Sequence, residues 1–413
     1  STVLVSVKYI LYFVCCKKGG LSPAFFLGKV MPNQNQCEVT LKTGRLEVEV
    51  EPSTHSLDHL LEFASRENPK RAYLFVSKIL GKYIPCKPST MRLSYNDLAK
   101  LVHPQSSTLV IGVAETATGL GAGIAQSLSE RLHDIYFSQT TRFEKDRPLA
   151  FHITEKHSHA PKHLIYDLHK HIPINAINDI VLVDDEISTG NTLNQITSEL
   201  LSYLPNIKRV HWLSLVNWMS DTRCQSIVEQ FNAVDIHFSS LLKGEFNFKR
   251  TSSQIIDFPS ETATELSNAC CRWDLGRTGI RVNNTSKDNL FSKEKFINTQ
   301  NEYLTLDTLP CDVPYIIIGT GEFTHQPFLF AESMEYAGFD VLFESTGRSP
   351  ILKGGGISSK IKFFDTCHQA NYYLYNLPEE RTPIILYETL EQLEGSPLHK
   401  LLNCHAYFLE KSS

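Results

Sequence analysis

The chain has 413 residues, enough for two or three domains, and its 42% hydrophobic and 21% charged content lets each domain bury an ordinary core. A formal net charge of −5 and a pI near 6.3 argue against a protein that holds nucleic acid by bulk electrostatics, although a local basic patch stays open. Ten cysteines without a CxxC pair, two sets of them adjacent (Cys15-Cys16 and Cys270-Cys271), read as reduced thiols of a cytoplasmic protein.

The first apolar run is YILYFVCC, Tyr9 to Cys16. It is far shorter than the ~20 residues that span a bilayer. Lys17 and Lys18 follow it, the wrong side for a signal peptide, and no small-residue cleavage site is obvious. Residues 1–30 therefore read as a non-native or mis-started extension, with Met31 as the start; the other reading is a loosely attached strand.

From Cys37 to Val50 the pattern alternates (LKTGRLEVEV) and predicts a strand pair. His55 to Ser65 reads as a helix, Ala72 to Pro85 as a buried strand with a short return (GKYIP), and Tyr95 to Val102 as helical. LVIGV, within Ser107 to Leu132, is a short buried strand, AETATGLG a small-residue loop, and Leu120, Ile124, Leu128 and Leu132 fall on one helical face. DIYFSQTT (Asp134 to Thr141) is the next strand. A His-rich, Pro-containing stretch runs on to His171, then NDIVLVDDE is a strand, TLNQITSELLSYL a helix and KRVHWLSLVNW a strand. Strand and helix alternate throughout, which predicts an α/β domain with a mainly parallel sheet. Ligands of such sheets bind beyond the carboxyl ends of the strands, where AETATGLG and DDEISTGNT both fall.

VLVDDEISTGNT, Val181 to Thr192, packs an apolar strand, three acids and a hydroxyl-rich turn into one stretch. A strand ending in a short turn before a helix aims the free N–H groups of that helix outward. Ser188, Thr189, Gly190, Asn191 and Thr192 let a phosphate approach that backbone closely. The Walker pattern is excluded, because no GxxxxGK[ST] lysine is present. Carboxylates beside a bare phosphate would repel it, so they must face another part of the same ligand. Ribose hydroxyls are donors that suit a carboxylate pair. The string thus implies a sugar phosphate, its phosphate on the turn and its diol on Asp184 and Asp185.

This stretch resembles the phosphoribosyl-diphosphate (PRPP) motif of type I phosphoribosyltransferases. The resemblance implies a parallel sheet flanked by helices, a PRPP substrate and Mg²⁺, bound mainly through the substrate near Asp184 and Asp185. It assigns Ala114, Glu115, Thr116 and Ala117, within GVAETATGLG, to a pyrophosphate loop. On its own residues that segment also fits a poor dinucleotide fingerprint (Gly119 to Gly123), but the next strand ends in QTTR instead of the acid a ribose diol needs. Arg142 is the basic candidate for pyrophosphate, with Lys145 and Arg147 behind it or in a solvated loop. The resemblance also places a mobile hood over Phe151 to His171, with His157 and His159 as lid residues; the HSH string leaves a metal site as the other reading.

A closer resemblance covers nearly everything after residue 38. ENPKRAYLFVSKILGKYIP, AETATGLG, HSHAPKH and STGRSP together resemble a bacterial subgroup that joins a phosphoribosyltransferase domain to a TRSP domain and occurs with tellurite-resistance-type stress gene clusters. Here the string reads Thr346-Gly347-Arg348-Ser349-Pro350, with a glycine inserted after the threonine. The expected division is an extension over 1–36, a phosphoribosyltransferase-like domain over 37–245, an ordered connector over 246–300 and a TRSP α/β domain over 301–413.

The two halves also resemble each other. VIGVAETATG (110–119) aligns with IIGTGEFTHQ (317–326), DIYFSQTTR with DVLFESTGR (340–348), HAPKHLIYDL (159–168) with HQANYYLYNL (368–377), and NDIVLVDDE with TPIILYETL, in one order and at near-constant spacing. The second domain therefore reads as a decayed copy of the first, with Tyr387 and Glu388 near Asp185 and Glu186 in place of the acid pair. Its loops, with Glu322, Thr346, Arg348, Ser349 and the KGGG after them, read as holders of a different ligand. The arginines of RWDLGRTGIRV (Arg272 to Val282) either reach an anionic substrate or bridge domains.

The implied chemistry is transfer of ribose 5-phosphate to or from a nucleobase-like acceptor, in nucleotide or nucleoside-like metabolite synthesis linked to stress. Asp184, Asp185, Glu186 and Arg142 are the catalytic candidates. The acceptor is deprotonated by Glu186, by a lid histidine, or not at all, and its pocket includes the region of Lys78 and Lys82. Alternatives are a PRPP-binding regulator without catalysis, or a nucleoside-processing phosphorylase or lyase. Expected partners are PRPP and a base-like small molecule, with no membrane or nucleic acid, in a homodimer or an intramolecular pseudo-dimer.

Overall fold

The computed structural model describes residues 35–66, 68, 71–154, 162–251, 270–282 and 295–410. Residues 1–34, with Met31 and the Cys15-Cys16 pair, and His157 and His159 lie outside the described residues. The alternating stretch after residue 35 forms β1 (Gln36–Leu41) and β2 (Gly44–Val50), an antiparallel pair whose inward Leu46, Val48 and Val50 are buried. The segment read as one helix from His55 breaks instead into a single turn, α1 (Leu57–Leu60), and a strand, β3 (Leu61–Ser65). The reason is tertiary. β3 pairs antiparallel with β4 (Tyr73–Ser77), which sets Phe63 edge-on to Phe75, and that packing overrides local helix preference. Helix α2 (Pro88–Lys100) starts at a proline in its first turn, earlier than its apolar periodicity signals.

The parallel sheet then assembles from β5 (Thr108–Gly112), α3 (Thr118–Ser129), β6 (Ile135–Gln139), the hairpin β7 (Leu149–Thr154) and β8 (Lys162–Tyr166), β9 (Asp179–Ile187), α4 (Asn191–Tyr203), β10 (Arg209–Asn217), α5 (Asp221–Gln230) and β11 (Asp235–Arg250). Together with β12 (Ile280–Val282) the order is β1-β2-β11-β10-β9-β5-β6-β12, the five central strands being parallel. β5, β6 and the first half of β9 are buried throughout, as strands covered on both faces must be.

The second sheet comes from β13 (Phe296–Ile297), β14 (Tyr315–Gly319), α6 (His325–Tyr336), β15 (Val341–Ser345), the hairpin β16 (Lys360–Asp365) and β17 (Ala370–Tyr375), β18 (Thr382–Tyr387), α7 (Leu390–Gly395), α8 (Leu398–Leu402) and β19 (His405–Leu409). Its order is β13-β19-β18-β14-β15. With β14, β15, β18 and β19 set on β5, β6, β9 and β10, the two parallel orders coincide, and an antiparallel hairpin interrupts each at the same point. Hydrogen bonds repeat as well. Thr140 N donates to Gly112 O and Thr346 N to Gly319 O, each at 3.0 Å, while Ala114 N donates to Thr140 Oγ1 (2.7 Å) and Gly321 N to Thr346 Oγ1 (3.0 Å). The internal repeat is therefore structural. Its register moves one detail: Tyr387 stands at Asp184 and Glu388 at Asp185, one residue before the Asp185 and Glu186 positions named for them from the sequence.

The two halves share a core. Tyr95 of α2 meets Phe328 of α6 edge-on at 5.2 Å, and Arg92 makes a two-pronged contact with Glu332 (2.6 and 2.8 Å). Residues 82–86 are no return strand; Lys82 and Cys86 bridge to Ser345 and Phe343 of the second sheet. Cys270 and Cys367 are brought together, their Cα atoms 6.1 Å apart, within disulfide reach.

Candidate active site

Beyond the carboxyl ends of β5, β9 and β10 lies a cleft of about 1580 Å³. Asp184, Asp185 and Glu186 border it at the end of β9, and Ser188, Thr189, Asn191 and Thr192 border it on the turn into α4. Gly190 caps α4 at φ 72°, where an added Cβ would meet Met219 Sδ at 2.6 Å. It shapes the turn from behind and does not face the cleft. That conformation, together with the helix N-terminus, suits an anion. Arg223 braces the turn, donating from Nε to Thr189 O (3.1 Å) and from Nη2 to Asn191 Oδ1 (3.0 Å).

Facing the turn is the loop after β5. Val113, Ala114, Glu115 and Thr116 line the cleft, whereas Ala117 is buried behind them. The Ala114–Glu115 peptide is cis. Glu115 turns its carboxylate away, accepting from Lys82 Nζ at 2.9 Å, so the loop offers backbone to the cleft. Among the described residues, the Glu115 and Thr116 N–H groups have no partner. Arg142 lines the cleft and holds the loop and the hairpin together, donating to Ala114 O (3.1 Å) and Lys162 O (3.0 Å). Lys145 and Arg147 do not reach the cleft; both lie over the Trp273 ring, at 5.5 and 5.3 Å.

Burial pushes the Asp185 carboxyl up, against the pull of the Asp184 hydrogen bond and of Arg71. Burial likewise raises Glu186, which is ion-paired to Arg71. Arg66, Arg71 and Tyr73, from the β3–β4 hairpin, line the cleft with Trp218 and Phe246. The residue pattern did not mark these as a site, although Arg66 and Arg71 flank the ENPK string that carried the family resemblance. Lys78 and Lys82, read as acceptor-pocket residues, are elsewhere. Lys78 bonds Asp58 O (2.7 Å) at the surface, and Lys82, 2% exposed, ties Glu115 to Thr346 O (2.7 Å) and Gly321 O (3.1 Å) between the halves.

The second sheet's equivalent end is filled from within. Arg277, 2% exposed, sits between Glu322 (3.1 Å) and Glu388, which Arg272 N also approaches at 2.7 Å. Burial works against the Arg277 charge, but Glu388 and Glu322 more than offset it, holding the guanidinium above its usual range. Glu322 also accepts from Thr141 Oγ1 and Arg142 N, each at 2.6 Å. The second-domain loops therefore do not ring a cleft of their own: Glu322 is a domain bridge, and Arg348 and Ser349 line the first cleft. The KGGG stretch is a seam, since a Cβ on Gly355 would meet Phe63 O at 2.1 Å.

Among the described residues, no three His, Cys, Asp or Glu side chains converge as a metal site, and no helix is long and apolar enough to cross a membrane.

None of the curated proteins matches this chain. Among solved structures it is similar to adenine phosphoribosyl transferase from Trypanosoma brucei (14% identity, 46% of this chain and 81% of that one, TM-score 0.32). It is also similar to adenine phosphoribosyltransferase from Rhodothermus marinus (16%, 45% and 96%, TM-score 0.31) and to orotate phosphoribosyltransferase from Aeropyrum pernix (18%, 42% and 77%, TM-score 0.26). Likenesses at these TM-scores carry no weight for function. The assignment rests on two family models: a phosphoribosyl transferase model matches residues 60–245, and a model of the TRSP domain, found C-terminal to it, matches residues 274–403. The chain belongs to the phosphoribosyltransferases that carry a C-terminal TRSP domain, and it is an enzyme of that transferase class.

Proposed function

We propose that the first cleft transfers ribose 5-phosphate from PRPP to a nucleobase-like acceptor and releases pyrophosphate. One observation carries this reading: an acid pair and a glycine-capped hydroxyl turn stand side by side, opposite a loop with two unpartnered N–H groups. Asp184 and Asp185 accept from the ribose diol. The Ser188–Thr192 turn binds the 5′-phosphate at the α4 N-terminus. The Glu115 and Thr116 amides bind pyrophosphate, and Arg142 keeps their loop in place.

In the reaction the anomeric carbon–oxygen bond breaks and its electron pair leaves with pyrophosphate. A lone pair on an acceptor nitrogen forms the new bond, and the acceptor proton passes to a base. Most of the acceleration is then placement and charge stabilisation. Glu186, its carboxyl raised by burial, is the base candidate at the cleft wall. The faces of Tyr73, Trp218 and Phe246 suit a planar acceptor.

Mg²⁺ would fit here as a substrate-borne ion, because it keeps phosphate and water ligands, and Asp184 and Asp185 would stand near it. When bound, it supplies neutralisation of the pyrophosphate leaving group.

The test is pyrophosphate release from Mg·PRPP against a panel of bases. Release that needs one base and falls roughly 1,000-fold in Asp184→Asn/Asp185→Asn supports the reading. Binding without any release indicates a regulator, and base release from nucleosides without pyrophosphate indicates a phosphorylase or lyase.

A further inference from the structure

The loop between β15 and β16 leaves its own sheet and enters the first-domain cleft. Three contacts fix its backbone there. Lys82 ties Thr346 O to Glu115 Oε1; Leu352 N donates to Ser65 O (2.9 Å), extending the edge of β3; and Tyr375 OH donates to Ser349 O (2.7 Å) while accepting from Ile351 N (2.9 Å). The inserted Gly347 belongs to this arrangement. A Cβ there would stand 3.0 Å from Lys82 Cε and 3.3 Å from Glu115 Oε1, so a side chain would crowd the Lys82–Glu115 pair.

At the tip, Arg348 and Ser349 line the cleft. Arg348 Nε and Nη1 and Ser349 Oγ are buried and have no hydrogen-bond partner. A buried guanidinium N–H left without an acceptor is costly. Such a group is kept where a ligand supplies the acceptor. Arginine at the equivalent position of the first repeat is used otherwise: Arg142 donates to Ala114 O and Lys162 O, within its own domain. The two arginines of the repeat therefore border one cleft, one bracing the loop and the other presenting donors to whatever lies against it.

We propose that Arg348, with Ser349, completes the pyrophosphate subsite from the second domain, donating to the pyrophosphate oxygens of PRPP. The proposal rests on the PRPP reading above. The second domain then serves as a built-in partner subunit, contributing a side chain to the first domain's site while its own strand ends are filled by Arg277. Guanidinium geometry matches a phosphate with paired N–H donors, and the anionic ligand replaces acceptors that the protein itself lacks there.

Titration calorimetry on the full chain tests this with three ligands: Mg·PRPP, pyrophosphate and ribose 5-phosphate. Arg348→Gln should weaken PRPP and pyrophosphate roughly 10- to 100-fold and leave ribose 5-phosphate within about 2-fold of wild type, which also shows that the variant is folded. Arg348→Lys should recover part of the loss. Equal weakening of all three ligands, or none, overturns the Arg348 assignment while leaving the PRPP reading intact. Failure of the wild-type chain to bind Mg·PRPP overturns both.

Discussion

At the carboxyl end of the first sheet, Asp184, Asp185 and Glu186 border an open cleft, whereas at the same place in the second sheet Glu322 and Glu388 close on Arg277. The order of the four matching parallel strands and the loop hydrogen bonds are the same in both. What differs is where the countercharge comes from. In the first, Arg71 meets Glu186 from one side and leaves the aspartates facing the cleft; in the second, a fully buried cation takes up both acids. One arginine, Arg277, thus turns strand ends that border a cleft in the first sheet into a domain joint in the second.

That contrast can be broken most forcefully at Arg277. Arg277→Met leaves two buried carboxylates without their cation and should cost roughly 3–5 kcal/mol, read as a fall in denaturation midpoint. Adding Glu322→Gln and Glu388→Gln should recover much of it. A near-neutral single variant would show that the joint does not depend on this charge cluster.

Acid tolerance sharpens the comparison next. His211, on β10 of the first sheet, is pushed down to about 4 by burial and by neighbouring His237. Its folded pKa lies below the unfolded value of 6.5, so the unfolded state binds more protons between them. The contribution is complete above pH 6.5 and is lost as pH falls toward 4, by on the order of 3 kcal/mol. His211→Phe should flatten the stability–pH curve over that window, and an unchanged slope would contradict the account. His325, at the start of α6 in the second half and pushed down to about 3 by burial, should still produce part of the acid loss in that variant.

The smallest expected effect is at the turn. Gly190→Ala places a side chain at positive φ against Met219 and Trp212 and should cost roughly 1–2 kcal/mol. Ribose 5-phosphate affinity should fall with it, whereas Gly338→Ala, also at positive φ but with open space around it, should leave that affinity unchanged.

Much of this was legible in sequence because it is local. VLVDDEISTGNT carries strand, acids and turn in consecutive residues, and the repeat could be followed from Gly112 to Gly319 because small residues at strand ends tolerate no replacement by bulk. What escaped is what packing assembles across long separations. Arg71 reaches Glu186 over 115 residues, and Lys82 reaches Thr346 over 264. Neither distance leaves a spacing pattern. The arginines of RWDLGRTGIRV were recognisable as either substrate-facing or domain-bridging, and only the buried position of Arg277 decides for the bridge. The misread helix after His55 has the same origin, since its strand character comes from β4 and not from its own residues.

The central claim is that one of two like-built strand ends holds the sugar phosphate. Calorimetric stoichiometry of Mg·PRPP on the intact chain tests it most directly. The account predicts one site per chain, abolished by Asp184→Asn/Asp185→Asn and retained in Glu388→Gln. Two sites, none, or one that survives loss of both aspartates would contradict it.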